Sequence, residues 1–373
     1  MIYLDYAATT PVNEEVLKTF YDISKSYIGN PNSTHKLGQE AKSCLDLSTK
    51  KIAEILKVKE SEIIYTSGAT EANNLAIKGI ANEYKRYGKH IISTYLEHSS
   101  VTGPLTALQN QGFEIDYVDV LDNGLVDLEH LKELLREDTI LVSIGYVDSE
   151  VGIKQDINEI GKILLSYPNC FFHVDATQAI GKIPVSFENI DLISFAPHKF
   201  YGLNGIGILI KKENVLLEPL IHGGISTTIF RSGTPNLALI ASAEKAISLA
   251  NMDIENKYQY VKNLNQRLQQ SLKEYSKVRI NSTDKSIPYI LNISIKGIST
   301  TNFQKELENY DIYVSTKSAC CAPNTPSRPV YAITKDRKLA LSTLRISLSH
   351  YTTMEDIDTF LDCFDKCYKK LVK

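Results

Sequence analysis

The stretch CFFHVDATQ, residues 170–178, ends an apolar run on an aspartate and then turns polar. Other short apolar runs surround it at similar spacing, and helical patterns separate them. Apolar strands that alternate with helices indicate an α/β fold whose sheet is mostly parallel and covered on both faces. The surrounding runs are EIIYT (62–66), KHIISTY (89–95), FEIDYVDV (113–120), TILVSIGYV (139–147) and DLISFAP (191–197).

Two further segments complete the organisation. GIGILIKK (205–212) predicts another strand, antiparallel and at an edge of the sheet. The pattern changes near residue 250, where a long polar helical segment (256–275) resembles a connector between two lobes. We therefore predict a large domain over residues 13–250 and a smaller α+β domain that combines residues 1–12 with 251–373. The last helix of that domain is expected to begin at a capping box between Thr352 and Glu355.

Composition excludes several classes of protein. The chain has 373 residues and a net charge of −3, which favours neither nucleic-acid binding nor attachment to a membrane surface. No apolar stretch approaches the ~18 residues of a transmembrane helix, and we expect no signal peptide. Six cysteines in a chain of this length do not form a disulfide framework, so we predict a reduced, cytoplasmic protein. Cys363 and Cys367 are predicted to be buried, and no metal site is expected.

The chemistry concentrates where the predicted strands end. Asp175 and Lys199 each follow an apolar strand, at the edge of the sheet where such folds bind ligands. An aspartate that pairs with a ring nitrogen and a lysine that bonds an aldehyde are typical of a pyridoxal phosphate site. Ala69 and Thr70 lie in SGAT (67–70), between a strand and a helix, where free backbone N–H groups can hold a phosphate. Each of these signals is weak alone, because such residues are commonly surface groups or helix caps.

Longer motifs carry a resemblance that covers nearly the whole chain. The sequence resembles the NifS/IscS-like cysteine desulfurases, which are fold type I pyridoxal phosphate enzymes of the class V aminotransferase group. The resemblance implies a seven-stranded, mostly parallel sheet between helices, with a smaller α+β domain. The motifs that carry it are YLDYAATTP (3–11), GNPNSTHKLG (29–38), TSGATEANNLAIKG (66–79), LEHSSV (96–101), HVDATQAIGKIP (173–184), HKFYGLNGIG (198–207), RSGTPN (231–236), VSTKSAC (314–320) and LRISLSHYTTMEDID (344–358).

The resemblance also implies roles for single residues. Lys199 would bind the cofactor, His98 would stack on its ring and move protons, and Cys320 would take the sulfur of L-cysteine as a persulfide. Arg345 and Asn30 would bind the substrate. The implied cofactor contacts are Ala69, Thr70, His98, Ser149, Asp175, Gln178, His198, Lys199 and, on the phosphate of the partner subunit in a homodimer, Thr234.

The tandem cysteines leave one assignment open. Cys320 is in register with the family's nucleophile, but Cys321 is also a candidate nucleophile, a thiol that resolves the persulfide, or a small space-filling residue. Lys317 replaces a family glycine, and its charge would favour a nearby thiolate.

Other positions depart from the family pattern. Asp148 and Ser149 replace two asparagines, so one contact to the ring hydroxyl is altered and an acid is added near the ring. Ala196 replaces a serine and removes one phosphate hydrogen bond. Tolerated drift and a divergent subgroup both explain these changes.

The predicted activity is conversion of L-cysteine to L-alanine, with sulfur passed to an acceptor. A selenocysteine lyase, a cysteine lyase that releases sulfide, and a catalytically weak scaffold for a sulfur-transfer partner are the alternatives. Iron–sulfur scaffold proteins, tRNA thiolation enzymes and small sulfur carriers all remain possible acceptors, and no direct nucleic-acid contact is expected.

Overall fold

A computed structural model describes residues 1–317 and 325–371 of the chain. Its central feature is a sheet of seven short strands, each of four or five residues and mostly buried. These strands are β2 (Ile63–Thr66), β3 (His90–Thr94), β4 (Glu114–Val118), β5 (Thr139–Ser143), β6 (Phe171–Asp175), β7 (Leu192–Phe195) and β8 (Gly207–Lys211).

The strand order confirms the predicted sheet and corrects one position in it. The order is β2-β8-β7-β6-β5-β3-β4, and among these strands β8 alone runs opposite to the rest. The antiparallel direction of β8 was predicted correctly, but its place at an edge was wrong. β2 pairs with its outer side, with Ile63 opposite Ile210, so that β8 is enclosed by two neighbours.

Each face of the sheet has its own apolar core, which explains the continuous apolar runs. Neighbouring residues of one strand point to opposite faces, so Ile91 and Leu141 pack in one core while Ile92 and Val142 pack in the other. The helices that cover these faces are α1 (Glu14–Ser26), α2 (Lys36–Leu56), α3 (Ala69–Tyr84), α4 (Ser99–Gln109), α5 (Leu128–Leu134), α6 (Ile157–Leu164) and α7 (Leu237–Asn251).

The C-terminal part has smaller sheets and its own helices, as predicted. Three strands pair antiparallel in the order β12-β10-β9, and β1 pairs in parallel with β11. The N-terminal strand therefore joins the C-terminal part, although the domain boundaries stay a prediction. The elements are β1 (Ile2–Tyr3), α8 (Ile254–Leu272), β9 (Val278–Ile280), β10 (Ile290–Ile295), α9 (Thr300–Glu308), β11 (Ile312–Tyr313), α10 (Arg328–Thr334), α11 (Arg337–Leu341), β12 (Thr343–Ser347) and α12 (Met354–Leu371).

The last helix begins one residue later than its sequence signal indicates. Thr353 and Asp356 form the capping box, since each backbone N–H donates to the other side chain at 2.8 and 3.0 Å. Thr352 was predicted as the cap, but its hydroxyl accepts from the backbone N–H of Ser349 instead. No helix among the described residues is long and apolar enough to cross a lipid bilayer.

Cys363 and Cys367 are buried on α12, as predicted. Within residues 1–317 and 325–371, no group of three or more His, Cys, Asp or Glu side chains is arranged to hold a metal ion.

Candidate active site

A cavity of about 400 Å³ lies where the parallel strands of the large sheet end. It gathers residues from the carboxyl ends of five strands, from the N-terminal segment and from β12, so the crossover topology assembles it from distant parts of the chain. The predicted site residues that line it are Ala69, Thr70, His98, Ser149, Asp175, Gln178, His198, Lys199 and Arg345.

The amine of Lys199 is held against the N-terminal segment. It follows β7 on a short 3₁₀ turn, and its Nζ donates to the carbonyl oxygens of Ala7 at 2.9 Å and Ala8 at 2.6 Å. Gln178 donates its Nε2–H to the same Ala7 oxygen at 2.9 Å. Burial, together with the charge of Lys199, lowers the pKa of His198 to about 4, so this imidazole is neutral at physiological pH.

Asp175 ends β6 with its carboxylate held by two N–H donors. Asn73 donates its Nδ2–H to Oδ2 at 2.8 Å, and the backbone of Thr177 donates to Oδ1 at 3.0 Å. A carboxylate fixed in this way presents its remaining lone pairs in a set direction. It can pair with a protonated ring nitrogen in the cavity.

The first turn of α3 offers unfilled N–H groups to the cavity. Gly68 is the N-cap and supplies no side-chain acceptor to them. The negative charge of the neighbouring Glu71 is compensated by Arg231. The Glu71 carboxylate accepts from Arg231 Nε at 2.8 Å and from the backbone N–H of Ser67 at 2.7 Å. A Cβ atom on Gly207 would lie 2.3 Å from the carbonyl carbon of Gly68, so only glycine lets β8 approach this turn. The N–H groups in the first turn of α3 therefore suit a phosphate.

His98 is the N-cap of α4 and carries its proton on a defined nitrogen. Its Nδ1 accepts from the backbone N–H of Ser100 at 3.2 Å, and a backbone N–H can only donate. The neutral ring therefore has its proton on Nε2. Burial lowers the pKa of His98, which favours this neutral form.

Arg345 brings a buried guanidinium to the opposite wall. Its side chain is 1 % exposed and donates to Asp5 Oδ1 at 2.8 Å and to the carbonyl of Ser149 at 2.9 Å. Within the described residues, its Nε has no hydrogen-bond partner. The hydroxyl of Thr177, which also lines the cavity, is buried and equally unpartnered there.

The residues present therefore fit pyridoxal phosphate. The turn at α3 can hold the phosphate, Asp175 the ring nitrogen, and Lys199 the aldehyde carbon. The unpartnered polar atoms on Arg345 and Thr177 are the kind that a bound polar molecule satisfies.

Two predicted residues lie elsewhere in this chain. Asn30 and Thr234 line a separate, more open groove rather than the cavity. Asn30 uses its side-chain oxygen to accept from the backbone N–H of Asn32 at 2.9 Å. Contacts of Thr234 with the phosphate of a partner subunit, and of Asn30 with the substrate, stay predictions.

The tandem cysteines, Cys320 and Cys321, lie outside the described residues. Lys317, just before them, donates from Nζ to the carbonyl oxygen of Thr325 at 2.9 Å and to its hydroxyl at 2.7 Å. The expected effect of Lys317 on a thiol therefore stays a prediction too.

The departures at 148, 149 and 196 have different surroundings. The Asp148 carboxylate accepts from the backbone N–H groups of Glu150, Val151 and Gly152, so it stabilises a turn. Burial and the nearby Glu150 raise its pKa to about 7. Ser149 lines the cavity, and Ala196 is buried in the core.

Two polar residues of the site were missed in the sequence. Glu97, in LEHSSV, is 5 % exposed, and burial raises its pKa to about 8. It accepts from Thr94 Oγ1 at 2.8 Å and from the N–H of Gly145 at 3.0 Å. Asn73 is fully buried within α3. A polar residue among apolar helix positions is the signal that could have found it.

Comparisons with known proteins agree with this geometry. The model of the family described as aminotransferase class-V matches residues 2–360. The chain is 40% identical over 379 residues to a cysteine desulfurase IscS from Buchnera aphidicola subsp. Baizongia pistaciae, covering 99% of this chain and 93% of that one. A solved NifS-like protein superposes with a TM-score of 0.93 at 35% identity, covering 99% and 100% of the two chains. A structure of SspA in complex with cysteine gives a TM-score of 0.83 at 31% identity, covering 95% and 100%.

Proposed function

Because this chain belongs to the aminotransferase class-V family as one of its cysteine desulfurases, we propose that it converts L-cysteine to L-alanine and passes the sulfur onward through Cys320. The family's cofactor is pyridoxal phosphate. The observation that carries the proposal is the meeting of Lys199, Asp175 and the first turn of α3 around one cavity. None of these elements is close to the others in sequence.

The cofactor would be held by residues at three places. The N–H groups at Ala69 and Thr70 would bind its phosphate, Asp175 its ring nitrogen, and Gln178 with Ser149 its ring hydroxyl. When bound, pyridoxal phosphate supplies an electron sink for the charge that develops on the α-carbon of the substrate.

Lys199 and His98 are assigned the proton transfers. The amine of Lys199 takes the α-proton, and carbonyl groups already direct it into the cavity. His98 holds a proton on Nε2 and has Nδ1 committed to its helix cap, so it acts first as a proton donor. The free Nε–H of Arg345 is assigned to the substrate carboxylate.

Cys320 completes the reaction as the sulfur acceptor. Its thiolate attacks the sulfur of the substrate, so an S–S bond forms while the bond between sulfur and the β-carbon breaks. The electron pair of the broken bond stays on the carbon skeleton, which takes up a proton and leaves as alanine. The persulfide then transfers its terminal sulfur to an acceptor protein.

The assembly and the surroundings are also part of the proposal. Thr234 completes the site of a partner subunit, which makes the enzyme a homodimer with shared active sites. The enzyme works in the reducing cytoplasm, where cysteine thiols stay reduced. A carrier or scaffold for iron–sulfur cluster assembly or tRNA thiolation would be its acceptor.

The test is a turnover assay on the wild type and on single cysteine variants. With L-cysteine and a thiol reductant, the wild type should form equal amounts of alanine and sulfide. Cys320→Ala should form almost none, while Cys321→Ala retains most of the activity. Cys44→Ala removes a distant free thiol and is the matched control.

The results separate the possible outcomes. Full activity in Cys320→Ala with none in Cys321→Ala would move the nucleophile by one residue. If both variants release sulfide with pyruvate and ammonia in place of alanine, sulfide leaves by elimination without an enzyme thiol. A wild type that binds pyridoxal phosphate but forms no alanine would reject the proposed function.

A further inference from the structure

A chain of buried polar groups runs beneath the cavity from β5 to α3. His173 lies between two serines, with Nδ1 2.8 Å from Ser143 Oγ and Nε2 2.6 Å from Ser194 Oγ. Ser194 in turn donates to Asn73 Oδ1. The four residues are fully buried, so none of their hydrogen bonds can be replaced by one to water, and each contributes to stability.

The direction of each hydrogen bond in this chain is fixed. A carbonyl oxygen only accepts, so the Ser194 proton goes to Asn73 and Ser194 Oγ must accept from His173 Nε2–H. The ring of His173 is neutral, because burial lowers its pKa to about 4. Its Nδ1 therefore accepts from the hydroxyl of Ser143. All donors point toward Asn73.

Asn73 then divides its own amide between the two sides of the site. Its Nδ2 group donates to Asp175 Oδ2 at 2.8 Å and to Ser100 Oγ at 2.8 Å. The Ser100 hydroxyl lies 2.8 Å from His98 Nδ1. The Asn73 side chain thus contacts both Asp175, the proposed partner of the ring nitrogen, and Ser100, which supports the ring of His98.

We propose that Asn73 is a positioning residue, which holds the Asp175 carboxylate and, through Ser100, the His98 ring in one fixed relation to the bound cofactor. This inference rests on the proposed function, because it requires a ring nitrogen for Asp175 to meet. The Ser194–His173–Ser143 chain keeps the amide from turning over. An amide turned by 180° would face its oxygen to the carboxylate, and that contact is repulsive.

The proposal is tested on the apoprotein by its affinity for two probes. One is pyridoxal phosphate, and the other is its 1-deaza analogue, in which CH replaces the ring nitrogen. Asn73→Leu should weaken pyridoxal phosphate about tenfold, since hydrogen bonds to charged groups are worth about that factor. The same variant should weaken binding of the deaza analogue less, because only the contribution through Ser100 and His98 is lost for that probe.

Two further variants make the test decisive. Ser194→Ala removes the bond that orients the amide, together with the acceptor of His173 Nε2–H, and should show the same selective loss, several-fold rather than tenfold. It decides the question if Asn73→Leu does not fold. Asn265→Leu removes another buried amide, on α8, and is the control for stability effects on binding.

Equal weakening of both probes in Asn73→Leu and Ser194→Ala, or no weakening of either, would overturn the inference and leave the function intact. A wild type that binds neither probe would reject the proposed function itself, before the variants are compared.

Discussion

At the scale of single residues, the cavity is surrounded by acids that the fold has made hard to ionise. Glu97 and Asp148 are each about 5 % exposed, and burial raises the pKa of both. Asp175 lies among them and accepts from the side chain of Asn73 and from the backbone of Thr177. The site therefore combines one carboxylate held by a side-chain amide with acids whose contacts are to backbone N–H and hydroxyl groups.

Glu97 predicts a dependence of stability on pH. Its pKa rises from an ordinary 4.5 to about 8 in the fold, so the native state binds more protons than the unfolded state between these values. Stability due to Glu97 is then full below about pH 4.5 and is lost as the pH rises to 8. Relative to wild type, Glu97→Gln should gain about 3 kcal/mol of unfolding free energy between pH 6 and pH 9.

Urea unfolding of the apoprotein at the two pH values measures this difference. Glu133→Gln, at an exposed position of α5, should change with pH as the wild type does. Parallel curves for Glu97→Gln and wild type would show that Glu97 is ionised in the fold at both pH values. Asp148 should leave part of the pH dependence in the variant, because its pKa is raised in the same direction.

At the scale of secondary-structure elements, the N-terminal ends of two helices position groups of the candidate site. α3 begins at a glycine without a side-chain cap and leaves N–H groups for a ligand, whereas α4 begins at His98, which caps it and has its tautomer fixed as a result. α12 begins with a full capping box. The open start of α3 faces the cavity, whereas the capping box of α12 stabilises the helix itself.

The capping box of α12 gives a prediction about its register. Thr353→Ala should lower the free energy of unfolding by about 1 kcal/mol, because it leaves the N–H of Asp356 without its acceptor. Glu355→Ala, at the position that the sequence indicated, should change it by less than about 0.5 kcal/mol. Thermal and urea unfolding of both variants compare the two positions, and a larger loss in Glu355→Ala would favour the register expected from sequence.

What the sequence predicted correctly depended on local pattern, and what it missed depended on partners far along the chain. Buried strands such as β5 and β6 are recognisable because both of their faces are apolar. The outer position of β2 beside β8 is set by pairing across about 145 residues, and no local pattern contains it. Thr352 and Thr353 have the same spacing to an acid, and the N–H of Ser349 decides between them.

The site shows the same division. Lys199 and Asp175 were predicted because strand ends are favoured places for chemistry and because long motifs surround them, and both line the cavity. The role inferred for Asn73 could not be recognised in this way. Its partners Ser194 and Asp175 lie more than 100 residues away, and only the folded chain brings them together.

At the scale of the whole molecule, the N-terminal segment joins the two parts of the chain at the cavity. Ala7 accepts from Lys199 and Gln178 of the large sheet, while Asp5 pairs with Arg345 on β12. Arg345, proposed to bind the substrate carboxylate, is thereby connected to the amine of Lys199 through a few residues of backbone. Thr234 lies outside this arrangement, in a separate groove, which is where a residue destined for a second subunit is expected.

Mixed dimers test that last assignment. If Thr234 serves the partner's site, Thr234→Ala and Lys199→Ala homodimers should both be nearly inactive. A mixed dimer has one site with wild-type Lys199 from one subunit and wild-type Thr234 from the other. Random exchange of equal amounts should therefore restore about a quarter of the wild-type sites. The measurement is alanine formation after co-refolding or co-expression with two different tags.

As a control, Lys199→Ala mixed with Arg345→Ala should restore nothing if both residues act within one subunit. If the mixture of Thr234→Ala and Lys199→Ala recovers no alanine formation, Thr234 acts in the site of its own chain or in no site.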